Sequence, residues 1–367
     1  MKIGMQLLFA GHDGMNDRDL YKNELALALE AEPMGFDRLL PVEHHFTDYA
    51  LCPDNIAVLS HIAAKTSRIE LFPAAIILPW NDPLRVVEKV ILLDHLSEGR
   101  VILGMGRGLA RCEFDAFRIN MSESRDRFDQ AAEFIVGSLE TGFAESDSQY
   151  YPQPRVEIRP RPLKSFKGRR YMVGMSPDSV KTAARLGLGC MKFSNAPWES
   201  AAAEIDQYRV AYREAHGEKA PPLVSADFVI VHKDLKTAED MARKYMGAYW
   251  RSVMTHYELL GSHFEKTGKS YESYAAAKKL IAESDEEALI ESYMANNLWG
   301  TPDRIVECLQ QRREYIGGFD ISVAFNYSNM PFDLVKDSVK LFCDEVMPKI
   351  KDWDSETPDR EATEAVR

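Results

Sequence analysis

Three short segments combine residue types that suit chemistry. Glu43, His44, His45 and Phe46 run consecutively after an apolar stretch. Imidazole titrates nearest neutrality and serves as a general acid or base. The plainer alternative is that one or both histidines cap a strand. A metal set needs a third ligand and a spacing such as H-x-x-x-H, which adjacent histidines lack, so no metal is expected. The second segment is Gly104-Met105-Gly106-Arg107-Gly108-Leu109. Its glycines admit close backbone approach to a flat or anionic ligand, and Arg107 offers a cationic fork to a phosphate or an enolate-like ring. It is no dinucleotide fingerprint, because the third glycine falls one position too early for G-x-G-x-x-G. A strand-terminating turn is the alternative. The third is Met175-Ser176-Pro177-Asp178-Ser179. Ser176, Asp178 and Ser179 can cap a helix whose first N–H groups would bind an anion; an ordinary capped helix is the alternative. Small residues at Ala74 and Ala75 let a planar group pack on the backbone, or fill a tight core layer. Tyr249, Trp250 and Tyr257 belong to an aromatic group that lines a pocket or only packs. Cys112 is a candidate thiol without local features that lower its pKa.

The elements that must position these residues alternate. Short apolar runs at 3–8, 37–42, 69–78, 100–105, 170–175, 190–194, 224–232 and 320–325 read as strands. Helical patterns lie at 19–34, 53–66, 83–96, 123–141, 178–186, 198–215, 236–255, 302–315 and 332–347. Asp82 and Pro83 form a helix start. Repeated βα units favour parallel strands with right-handed crossovers. Eight of them favour a closed (β/α)8 TIM barrel over an open sheet. Two insertions follow strands: 109–167, with a small hairpin from 149–151 and 156–159, and 252–300, largely helical. Both fall at the C-terminal face, where barrel enzymes carry their sites.

Length and composition bound the class. The 367 residues are 45% hydrophobic and 28% charged, which supplies a large core and excludes wholesale disorder. The longest uncharged apolar run, 71–80, is half a bilayer span, so no transmembrane helix is expected. A net charge of −12 argues against nucleic acid and acidic membranes. Five scattered cysteines without C-x-x-C suit a reducing cytoplasm rather than a disulfide framework. Residues 1–350 read as one domain, and 351–367, with six acids against three bases, as a disordered tail.

In order along the chain, Glu43-His44-His45-Phe46-Thr47, Pro73-Ala74-Ala75-Ile76-Ile77-Leu78-Pro79, Leu92-Leu93-Asp94-His95-Leu96-Ser97-Glu98-Gly99-Arg100, the segment 104–109, Gly300-Thr301-Pro302-Asp303 and Glu345-Val346-Met347-Pro348 resemble the bacterial luciferase-like flavin monooxygenases over 1 to about 350. The resemblance is nearest to the luciferase alpha subunit. It implies a (β/α)8 barrel that binds reduced FMN at its C-terminal mouth and uses O2 to oxidise a small hydrophobic aldehyde, ketone or alkane through a flavin hydroperoxide. It implies that His44 is catalytic, that Ala74-Ala75 is a non-proline cis peptide beneath the flavin, and that Arg107 and Ser176 bind the phosphate. Further cofactor contacts fall at Glu43, Gly106, Gly108, Leu109, Glu113, Gly174, Met175, Asp178 and Ser179, and the substrate pocket at Phe46, Tyr249 and Trp250. Gly106 replaces the reactive cysteine of luciferase, and Met175 a glutamate.

Several expectations accompany that pattern. No dinucleotide segment is available to reduce the flavin in place, so a separate flavin reductase supplies it. Insertion 252–300 covers the site and excludes water. The helices at 54–66 and 83–97 are apolar on more than one side, which suits a homodimer. Two rivals stand beside this: a hydride-transfer enzyme on the same barrel using the deazaflavin F420 or NAD(P)H, and a non-catalytic flavin-binding relative.

Overall fold

The computed structural model describes residues 1–356 apart from 13, 175, 176 and 268–270. Its strands are β1 (Ile3–Leu7), β2 (Arg38–Pro41), β3 (Glu70–Leu71), β4 (Ile76–Ile77), β5 (Leu103–Gly106), β6 (Phe143–Ser146), β7 (Gln153–Glu157), β8 (Arg170–Val173), β9 (Gly189–Phe193), β10 (Leu223–Val231), β11 (Leu298–Gly300) and β12 (Phe319–Ala324). The main sheet runs β3-β2-β1-β12-β10-β9-β8-β5-β4, with β11 on β10, and every pairing in it is parallel. Leu71 N–H donates to Arg100 O at 3.0 Å and accepts at its own O from Ile102 N–H at 2.9 Å, which joins the third strand to the fourth and closes the circle. The eight expected strands are thus the eight staves of a TIM-type barrel.

The third stave differs from expectation. It is two short pieces, β3 and β4, because Pro73 has no N–H to donate and the Ala74–Ala75 bond is cis. The hairpin is also displaced: β6 pairs antiparallel with β7. Tyr150 lies in the connection, where its N–H donates to Gln130 Oε1 at 3.0 Å instead of joining a ladder.

The helices are α1 (Asp17–Ala31), α2 (Asn55–Ala63), α3 (Pro83–Leu96), α4 (Arg111–Ala116), α5 (Ser124–Thr141), α6 (Pro177–Leu186), α7 (Trp198–His216), α8 (Leu235–His256), α9 (His263–Lys266), α10 (Glu272–Glu283), α11 (Glu286–Asn296), α12 (Pro302–Ile316) and α13 (Phe332–Leu341). Asp82 caps α3 by accepting from Arg85 N–H at 3.1 Å, with Pro83 as first helical residue. The last helix, expected to run to 347, widens into a π turn at Phe342–Val346. No helix among the described residues is long and apolar enough to cross a membrane.

Inside the barrel, Leu40, Phe72, Ile102, Tyr171, Met191 and Val224 form one packed layer. Burying such a side chain contributes about 1.5–3 kcal/mol. Below it, Arg38 donates to Glu70 and Asp320 at 2.8 Å each and fills the N-terminal end with satisfied charge. The region expected as a disordered tail begins by packing there. Ser355 Oγ donates to Asp320 at 2.6 Å, and Lys351 Nζ donates to Asp37 at 2.6 Å. Residues 357–367 of that tail lie outside the described residues. With one end filled, space remains at the C-terminal mouth.

Candidate active site

A cavity of about 460 Å³ occupies the C-terminal mouth. Each wall comes from a different stave. His44 follows β2, Ala74 and Ala75 lie between β3 and β4, Arg107 to Leu109 follow β5, and Gly174 follows β8. Phe228 is on β10, while Tyr249, Val253 and Tyr257 come from α8 and the residue after it. This convergence is what a closed barrel imposes on loops that follow its strands.

His44 is the polar centre. Its Nδ1 meets Glu113 Oε1 at 3.0 Å, and its Nε2 faces Tyr257 Oη at 3.4 Å. Glu113 sits on α4, is buried, and also accepts from His45 N–H at 2.8 Å. Burial pushes its carboxyl up, but the hydrogen bond and charge of His44, with the His45 N–H, outweigh burial and hold it below the usual range. A carboxylate on Nδ1 favours the tautomer with the proton there, leaving the Nε2 lone pair toward the cavity. His256 of α8 stands beside this pair, its Nδ1 2.9 Å from Thr47 Oγ1 and its Nε2 3.8 Å from Glu113. Burial, with repulsion from His44 whenever that ring is protonated, pushes His256 down to about 4, so it is neutral near pH 7. The ligand atoms of His44, Glu113 and His256 lie within 4.8 Å of one another. The ligand set that local sequence lacked is therefore completed from α4 and α8, although Glu113 Oε1 is already engaged by two N–H groups.

The floor is made of small residues. The cis Ala74–Ala75 unit is held by Asn55 Nδ2, which donates to Ala75 O at 3.1 Å. A Cβ on Gly106 would lie 2.8 Å from Ile77 Cδ1 and 3.1 Å from Ala75 Cβ, so a side chain there would displace the floor. Gly108 has φ +78°, a conformation that favours glycine. At the far end, Arg107 lies over the Tyr271 ring at 4.3 Å. Ser179, in the first turn of α6, lines the cavity and accepts from Arg125 Nη2 at 3.1 Å. Lys192 of β9 is a second cationic group in the lining, in addition to Arg107.

Most of the site residues expected from sequence meet in this cavity: Glu43, His44, Ala74, Ala75, Gly106, Arg107, Gly108, Leu109, Glu113, Gly174, Ser179 and Tyr249. Met175, Ser176 and the side chain of Asp178 lie outside the described residues. Glu43 lines the wall, but its oxygens accept from Trp80 Nε1 at 2.8 Å, Asn81 Nδ2 at 3.0 Å and Ile77 N–H at 3.1 Å, so it braces β4. Phe46 is not in the lining: with φ 67° its ring turns to Phe117, 5.3 Å away, and stays 63% exposed. Trp250 is not either. Adjacent helical residues point about 100° apart, and Tyr249 takes the inward direction while Trp250 packs on the core. Cys112 is no activated thiol, since burial and the Glu113 charge push it up. Tyr49, Asn55, Phe228, His256 and Tyr293 were missed. One signal existed: Tyr249, Val253 and His256 share a helix face at i, i+4 and i+7.

The family model for luciferase-like monooxygenases matches residues 1–318, and the chain belongs to that family. It is 24% identical over 354 residues to the alkanal monooxygenase alpha chain of a Kryptophanaron alfredi symbiont, covering 96% of this chain and 99% of that one. Among solved structures it resembles the monooxygenase RslO1 from Streptomyces bottropensis, with TM-score 0.81 and 25% identity over 95% of this chain and 99% of that one. At 18% identity and TM-score 0.73 the fold is shared with the FMN-bound oxygenating constituent of 3,6-diketocamphane monooxygenase from Pseudomonas putida, over 95% and 99% of the two chains. At 20% and 0.66 it is shared with the coenzyme F420-dependent tetrahydromethanopterin reductase from Methanopyrus kandleri, again over 95% and 99%.

Proposed function

We propose that this chain is a two-component flavin-dependent monooxygenase that takes reduced FMN from a separate reductase and, with O2, oxidises a small hydrophobic organic substrate. The observation that supports it is one cavity holding an oriented imidazole, a floor without side-chain bulk and a cationic end. These features fit FMN: Ala74, Ala75 and Gly106 leave a flat floor that a Cβ at 106 would fill. Arg107 and the N–H groups at the start of α6, beside Ser179, would hold its phosphate. When bound, reduced FMN supplies oxygen activation. The chain supplies orientation and water exclusion, and His44 moves a proton at Nε2 with Glu113 behind it. Five free cysteines, three of them only partly buried, suit a reducing cytoplasm.

The test is product analysis with enzymatically supplied FMNH2, O2 and panels of aldehydes, ketones and alkanes. His44→Ala should lower product by about 10²–10⁴-fold, leave FMN affinity intact and divert oxygen to hydrogen peroxide. His45→Ala, whose Nε2 faces Glu43 at 3.3 Å in a buried position, should lose stability rather than chemistry. Near-normal coupling in His44→Ala would remove the histidine from the proposal. Oxygen-independent turnover with a deazaflavin would favour the hydride-transfer reading instead.

A further inference from the structure

We propose that the substrate is a planar aromatic compound bearing a ring hydroxyl, and that His44 takes the proton of that hydroxyl. This rests on the monooxygenase reading and narrows its substrate. The cavity that holds the small-residue floor is also lined by rings from four elements: Tyr49 after β2, Phe228 of β10, Tyr249 of α8 and Tyr293 of α11, with Tyr257 just past α8. Phe228 and Tyr249 lie 4.1 Å apart at 37°, Tyr49 and Tyr249 5.7 Å apart at 34°, and Tyr49 and Tyr257 5.4 Å apart at 68°. A flat ring entering the cavity would meet faces and edges of these rings, the contacts aromatic pairs prefer.

The hydroxyls decide which ring. Tyr49 Oη and Tyr249 Oη share a 2.5 Å hydrogen bond, and Tyr257 is hydrogen-bonded to Tyr49 in turn. Burial raises the pKa of all three, so they remain protonated donors. The chain ends at His44 Nε2, 3.4 Å from Tyr257 Oη, which is long for a hydrogen bond. With the Nδ1 proton directed at Glu113, Nε2 is an acceptor. A carbonyl oxygen offers it nothing, whereas a hydroxyl docked there donates to Nε2 and accepts from Tyr257. In the transfer the substrate O–H bond breaks and an N–H bond forms at Nε2. The electron pair stays on the ring oxygen, stabilised by the tyrosine donors, and the imidazolium faces the Glu113 carboxylate. The ring becomes more electron-rich and ready for oxygenation by reduced FMN and O2.

The probe is 4-nitrophenol, whose phenolate absorbs visible light, titrated into the full chain with and without FMN. Bound probe should show the phenolate band at a pH where free probe is mostly neutral. His44→Gln should abolish the band, and Tyr257→Phe should weaken binding by up to about tenfold, the range for one hydrogen bond. Decanal should not compete. Probe bound in its neutral form, no binding, a band unchanged in His44→Gln, or displacement by decanal would each overturn the inference. FMN binding is followed separately by flavin fluorescence. A phenolate band without FMN binding would sink the cofactor reading alone, and FMN binding without a band would sink the substrate inference alone.

Discussion

Replacing Glu113 with Gln removes one negative charge while keeping the shape of the site. Glu113 Oε1 accepts from both His44 Nδ1, at 3.0 Å, and His45 N–H, at 2.8 Å, and a Gln carbonyl oxygen can accept both. The tautomer and the loop after β2 should therefore survive, and only the electrostatic support of a protonated His44 is lost. At 3.0 Å two unit charges attract by about 5.5 kcal/mol at an effective dielectric of about 20. That is an upper bound, because the imidazole keeps 17% of its side chain exposed and gives up hydration when it charges. Hydrogen bonds to charged groups are worth about 1.5–3 kcal/mol, which corresponds to roughly 10–150-fold in rate. The assay is product formed per FMNH2 oxidised, with enzymatically supplied FMNH2 and oxygen. Coupled turnover should fall by that factor, while FMN affinity changes less than about twofold because Gln keeps the shape of the site and the proposed phosphate contacts are Arg107 and the start of α6. Retention of turnover within about threefold would show that the carboxylate does not govern His44, and the site would need another proton carrier.

Other perturbations follow from the same structure. Arg107→Ala should weaken FMN binding by about 1.5–3 kcal/mol, the range for a charge-assisted contact, and riboflavin binding far less; equal losses in fluorescence titrations would reject the phosphate role. Burial pushes the fully buried Glu24 up to about 7 from 4.5. A raised carboxyl gives stability that is full below about pH 4.5 and is lost as pH rises through 7. Glu24→Gln should therefore match the wild type near pH 4.5 and exceed it by roughly 3 kcal/mol near pH 8.5 in urea unfolding; a difference independent of pH would refute this. Leu92 and Leu96 of α3 are 54% and 56% exposed, one turn apart, and an apolar pair of this kind suits a partner surface. Light scattering should find a homodimer at micromolar concentration and a monomer for Leu92→Arg; a monomeric wild type would refute it.

Local sequence determines the strands and helices because their signals are short-range. The alternation of apolar runs with amphipathic stretches marks all eight staves, and Asp82-Pro83 marks the start of α3. It also brings forward His44 and Arg107, since residues directly after barrel strands must face the mouth. The breaks in pattern depend on distant partners. The stave at 69–78 divides around Pro73, and Tyr150 leaves its strand for Gln130. Phe46 stands two positions after His44 in sequence yet turns to Phe117, because a backbone with φ 67° reverses its direction. Only the tertiary structure decides who completes the site. Glu113 reaches His44 from 69 positions away, Tyr257 from 213, and Tyr49 meets Tyr249 across 200. Such pairs carry no periodic or spacing signal. They exist because closing the barrel brings the ends of its strands, and the helices inserted after them, around one cavity.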